Sequence, residues 1–128
     1  MQNQQVRLIG NAPIYIAAKK LAIKVLKVTE NYPKLYRYTI GEEMHRCVVA
    51  VLRQIALGVL TRDKTVRIRA IEQFQADFET LKTWLEISYE ARWISQNAYA
   101  GFLQLTSSIG AQGSAWKNAQ LRERCQSC

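Results

Sequence analysis

Apolar residues recur along this chain at the three- and four-residue spacing of amphipathic helices, in four segments separated by short polar breaks. The first segment opens near Pro13, a residue suited to a first helical turn. Its inward stripe reads Ile14, Ala17, Ala18, Leu21, Val25 and Val28. It has to stop before Pro33, because a proline pushes the preceding residue out of helical geometry. The second starts near Thr39 or Gly41, where Thr39-x-x-Glu42 fits a capping box. Its stripe is Met44, Val48, Val51, Leu52, Ile55 and Val59. A polar turn at 61–64 leads to the third, roughly 65–91, with Ile71, Phe74, Phe78, Leu81 and Leu85 inward. Ser95 caps the fourth, whose stripe is Ala98, Phe102, Leu105, Ile109 and Trp116, and the polar composition after Lys117 predicts fraying there.

Four such helices with short connections predict an all-α, antiparallel up-down four-helix bundle. The expected division is an N-terminal extension at 1–12, the bundle at 13–120 and a flexible C-terminal tail at 121–128. A chain of 128 residues can bury a core of this kind without metals or disulfides.

The outward positions change the picture. On the second helix Val49, Ala50, Leu57 and Leu60 point away from the stripe, with only Arg46 and Arg53 charged on that side. On the first, Ile16 and Ile23 point outward among lysines. Apolar residues clustered by face call for cover. The sequence therefore predicts a protomer of a homo-oligomer, with Ile16, Ile23, Val49, Leu57 and Leu60 at the interface.

Charge adds a second feature. The net charge is +8, and it is divided unevenly: residues 1–62 carry ten Lys and Arg against three acids, residues 63–128 eight against seven. Lys20, Lys24 and Lys27 line up at i, i+4 and i+7; Lys34 and Arg37 follow in the connection, then Arg46 and Arg53. Glu72, Glu79, Glu86 and Glu90 mark the outer side of the third helix instead. A basic half of this kind favours a polyanion, bound with little sequence preference through counterion release. Tyr36 and Tyr38 flank Arg37 and either stack on bases or pack into the junction, with packing the commoner outcome for aromatics at such a place.

Catalytic chemistry finds little to work with. His45 is the single histidine and reads as a helix-surface residue. Cys47 reads as a buried small hydrophobe. Cys125-x-x-Cys128 is half a metal or redox motif with no second half. There is no Gly-rich phosphate loop or nucleophile elbow, and no cofactor or metal is expected. Glu42 and Glu43 suit the positive end of a helix dipole, and Gly110 and Gly113 either let helices approach closely or loosen a helix end. The odd cysteine count and the absence of a leading apolar run predict a reducing cytoplasm. The uncharged run from Trp93 to Trp116 is too rich in Gln, Asn, Ser and Gly to span a membrane.

The stretch Tyr32-Pro33-Lys34-Leu35-Tyr36-Arg37-Tyr38-Thr39-Ile40-Gly41-Glu42 resembles the first helix junction of the accessory variability determinant proteins of diversity-generating retroelements. These belong to a wider four-helix-bundle family named after proteins encoded in 23S ribosomal RNA intervening sequences. Ile94-Ser95 followed by Tyr99, and Gly113-Ser114-Ala115-Trp116, are similar as well. Tyr38-Thr39-Ile40-Gly41, His45-Arg46 and Ile55-Ala56-Leu57-Gly58 depart from the intervening-sequence branch and resemble the retroelement branch. The resemblance implies a basic, barrel-like homopentamer that catalyses nothing. Such a protein would bind a reverse transcriptase and its template RNA or cDNA during mutagenic copying and retrohoming. Two other readings compete: a structural or interaction oligomer indifferent to nucleic acid, and a peripheral membrane protein held by the lysines of the first helix.

Overall fold

The computed structural model describes residues 10–126, with side chains placed as far as residue 123. Most of the expected N-terminal extension (1–9), the side chain of Cys125 and all of Cys128 lie outside the described residues. The helices are α1 (Pro13–Thr29), α2 (Lys34–Arg37), α3 (Ile40–Leu60), α4 (Lys64–Glu90) and α5 (Gln96–Gln126). Each long helix packs on the next, and α5 returns to pack on α1. The short connections make neighbours antiparallel, so α1 stands diagonally across the bundle from α4. The four-helix bundle expected from periodicity is therefore the fold.

The inward stripes form the core. Val25, Met44, Ile55, Ile71, Phe74, Leu81 and Ile109 are fully buried. Ala17, Val28, Leu52, Val59, Ala98, Leu105 and Trp116 are half-buried and pack against them. Two glycines set how closely helices meet. A Cβ on Gly113 would lie 2.8 Å from the ring of buried Phe74, and one on Gly58 would lie 2.6 Å from Trp116. Of the two roles open to Gly113, close approach is the one realised, since α5 continues unbroken through it.

Helix ends follow local chemistry, which departs from the sequence reading at Thr39. The Ser95 cap forms, its Oγ accepting from Ala98 N at 3.1 Å. Asp63, inside the predicted turn, caps α4 through Thr65 N at 2.9 Å and Val66 N at 3.2 Å. The capping box at Thr39 does not form. The connection before it contains the short helix α2, whose open carbonyl at Leu35 takes the Thr39 hydroxyl at 3.1 Å. At the end of α4, Arg92 adopts φ 66°. Trp93 N reaches back to Ser88 O and Arg92 N to Tyr89 O, each at 2.9 Å, the double closure usually built around a glycine.

The last helix also runs past Lys117 to Gln126. Tertiary partners meet the first turn of that stretch: Lys117 pairs with Glu72 at 3.7 Å, and buried Gln120 accepts from Arg67 Nη1 at 3.2 Å. Arg67 also donates from Nε to Gly58 O at 3.1 Å and from Nη2 to Thr61 O. One guanidinium thus satisfies two carbonyls at the end of α3 and places positive charge at the negative end of its dipole.

Candidate nucleic-acid interface

The core face of α1 carries Ile14, Ala18, Leu21, Ala22, Val25 and Thr29. Opposite it, Ile16, Lys20, Ile23 and Lys27 succeed one another at i, i+4, i+7 and i+11, all exposed, with Ile16 41% and Ile23 46% accessible. The predicted row of three lysines divides. Lys20 and Lys27 stay on this outermost strip, while Lys24 turns towards α5, its Nζ 5.6 Å from the centre of the Phe102 ring.

On α3 the outward strip is Arg46, Val49, Arg53, Leu57 and Leu60, again all exposed. Arg46 is held by Glu43, whose Oε2 accepts at 2.7 Å from Nη2 and 3.1 Å from Nε. Among the described residues no salt bridge engages Lys20, Lys24, Lys27, Lys34, Arg37 or Arg53. Lys20, Lys27, Arg46 and Arg53 therefore share two neighbouring strips, on adjacent helices, with the residues expected at an oligomer interface, while Lys24, Lys34 and Arg37 lie off them.

The α1–α3 junction is built by aromatic packing. Tyr32 is buried, donates from its hydroxyl to Met44 Sδ at 3.6 Å, and lies 5.2 Å from Trp93 between ring centres. Burial raises the Tyr32 pKa above its ordinary value of 10.0. Tyr36 stacks on Trp93 at 4.6 Å. Arg37 Nη2 donates to Tyr32 O at 3.3 Å, which fixes the guanidinium beside the turn. Packing is thus the outcome for Tyr36, while Tyr38 keeps 59% of its surface exposed. A groove of about 460 Å³ runs beside it, lined by Leu26, Glu30, Arg37, Tyr38, Glu42 and His45. His45 is not a plain surface residue: its Nε2 lies 2.8 Å from Thr29 Oγ1, tying α3 to the last turn of α1.

The remaining chemistry is spare. Cys47 is buried, and burial raises its thiol above the ordinary 9.0, so it stays neutral as the small hydrophobe expected of it. Among the described residues no group of three His, Cys, Asp or Glu side chains is placed to hold a metal, and no helix is long and apolar enough to cross a membrane. What the arrangement offers is cationic surface interleaved with aliphatic side chains, suited to phosphates and to protein partners. Sequence reasoning missed exposed Leu26, Leu35 and Leu103, although Leu26 and Leu103 each fall one position past a stripe residue, Val25 and Phe102, and so off the inward face. It also missed Arg67, one arginine among many until its three acceptors are seen.

Fold and surface together describe a four-helix-bundle protein with a basic, partly aliphatic side. Residues 6–120 match the bAvd-like family model, and the chain belongs to that family, the bacterial accessory variability determinants. No curated protein matches the chain.

Proposed function

We propose that the chain is a non-catalytic accessory protein of a diversity-generating retroelement, acting in the cytoplasm as a homo-oligomer, most simply a pentamer. It binds a reverse transcriptase and its template RNA or cDNA, and so supports mutagenic cDNA synthesis and retrohoming. Membership of the family supports the polymerase partner. The observation that carries the nucleic-acid part is the concentration of cations without salt bridges on α1, the junction and α3. Lys20, Lys24, Lys27, Lys34, Arg37 and Arg53 form that patch, and Arg46, paired with Glu43, borders it. Cations free of internal carboxylates exchange condensed counterions for phosphates, which makes affinity fall with salt.

The test is equilibrium binding of the full chain to structured RNA and to DNA over a salt series, beside a Lys34→Ala/Arg37→Ala/Arg53→Ala variant. These three lie off the Ile16–Ile23 strip, so the substitutions leave that surface intact. Binding persists near physiological salt for the wild type, and the log–log salt slope drops by roughly one per lost contact in the variant. Wild-type binding that vanishes above low salt sinks the nucleic-acid reading and leaves a protein-interaction oligomer. A variant indistinguishable from wild type sinks the assignment of the patch. Co-sedimentation with the retroelement's reverse transcriptase tests the polymerase partner separately.

A further inference from the structure

Across the bundle from the outer strip of α1, helices α4 and α5 leave a surface groove along one side of their contact. Two adjoining hollows, about 410 and 280 Å³, run between them and share Lys82 and Gly110. The cause is local: α5 presents Ser107, Gly110, Ala111 and Ser114 on this side, too short to fill the space, and Leu103 on the lip is left 50% exposed. The other wall carries Glu79 and Glu86, seven residues apart and both exposed. Glu86 has no salt bridge among the described residues, and Glu79 has only its half-buried neighbour Lys82, at 2.8 Å. A surface pair of that kind is worth little and exchanges readily.

The strip on α1 has the complementary composition and the same repeat. Ile16 and Ile23 are seven residues apart, as are Lys20 and Lys27, so each pair is separated by about 10 Å along its helix, as Glu79 and Glu86 are. Because α1 stands diagonally from α4, no chain can lay its own strip in its own groove. We propose that the α4–α5 groove receives the α1 strip of a second copy of the chain, with Ile16 and Ile23 over Gly110 and its small neighbours, and Lys20 and Lys27 facing Glu86 and Glu79. The two surfaces differ, so the contact is heterologous, and its repetition closes a ring or extends a filament. This deepens the assembly named above and does not depend on nucleic acid. Lys20 and Lys27 are then committed to the neighbour, and the polyanion face contracts to Lys24, Lys34, Arg37 and Arg53, bordered by Arg46.

Sedimentation velocity without nucleic acid tests it on the full chain. The variants are Lys20→Glu/Lys27→Glu, Glu79→Lys/Glu86→Lys, the fourfold chain carrying both pairs, and Ala111→Trp, which fills the groove without touching charge. The wild type associates. Each double variant and Ala111→Trp sediment as monomers with an unchanged helical circular-dichroism spectrum. The fourfold chain, and an equimolar mixture of the two doubles, re-associate because charge complementarity is restored. A monomeric wild type overturns the proposal. So do doubles that keep the wild-type mass, or folded doubles that neither the fourfold chain nor the mixture rescues.

Discussion

Gly110 and Gly113 stand less than a turn apart in α5 and meet different surroundings. A Cβ on Gly110 would find Phe78 at 3.8 Å, an ordinary contact, whereas one on Gly113 would lie 2.8 Å from the ring of Phe74, a fully buried core residue. Alanine at a permissive helical site gains about 0.5–1 kcal/mol over glycine, while overpacking a core costs about 1–3 kcal/mol. Gly110→Ala should raise the urea midpoint and Gly113→Ala should lower it. Tyr32 supplies a pH-dependent counterpart. Burial raises its folded-state pKa above 10.0, so the native state holds the phenolic proton more tightly than the unfolded chain. Its contribution is fully present below the unfolded value and is lost as pH rises through the folded one. Unfolding free energy should therefore fall above about pH 10, and Tyr32→Phe should flatten that fall. Urea titrations on both sides of that pH check it.

Helix termini divide into those that sequence chemistry sets and those that neighbours set. Asp63 and Ser95 accept backbone protons, so replacing either by alanine should cost about 1 kcal/mol. Thr39 resembles a cap in sequence, but its hydroxyl is turned back to Leu35 O, so Thr39→Ala should stay within about 0.5 kcal/mol of wild type. The comparison of the three in urea denaturation separates a capping motif from a formed cap. At the end of α4, Arg92 occupies a left-handed conformation that costs an L-residue roughly 1 kcal/mol or more. Arg92→Gly should stabilise the protein by about that amount, read as a higher melting temperature.

At the scale of the whole molecule, exposed Ile16, Ile23, Val49, Leu57 and Leu60 occupy the same two strips as Lys20, Lys27, Arg46 and Arg53. If association covers the aliphatic members, folding is linked to assembly, and the apparent melting temperature should climb with chain concentration. A melting temperature that stays constant over a hundredfold dilution range, on the order of 1–100 μM, counts against an interface at these residues. Sharing of the strips also separates two effects of salt. Nucleic-acid affinity carries the steep dependence of counterion release, while contacts between copies that combine apolar and charged groups change less.

The number of helices, their inward stripes and the up-down order were legible in the sequence. A period of 3.6 over long segments is a strong signal, and each stripe residue can be assigned from spacing alone. The uneven distribution of charge and the outward aliphatic positions were legible for the same reason. What the sequence could not supply depends on distance between helices. The false cap at Thr39 required the short helix before it, the first turn of the α5 extension required Glu72 and Arg67 as partners, and the division of the lysine row required Phe102 next to Lys24. The groove between α4 and α5 belongs to that second group, because small residues on one side of a helix read equally as close packing or as open space until the neighbouring helix is in place. Periodicity fixes which way a side chain points along its own helix, and only the tertiary structure decides what it meets there.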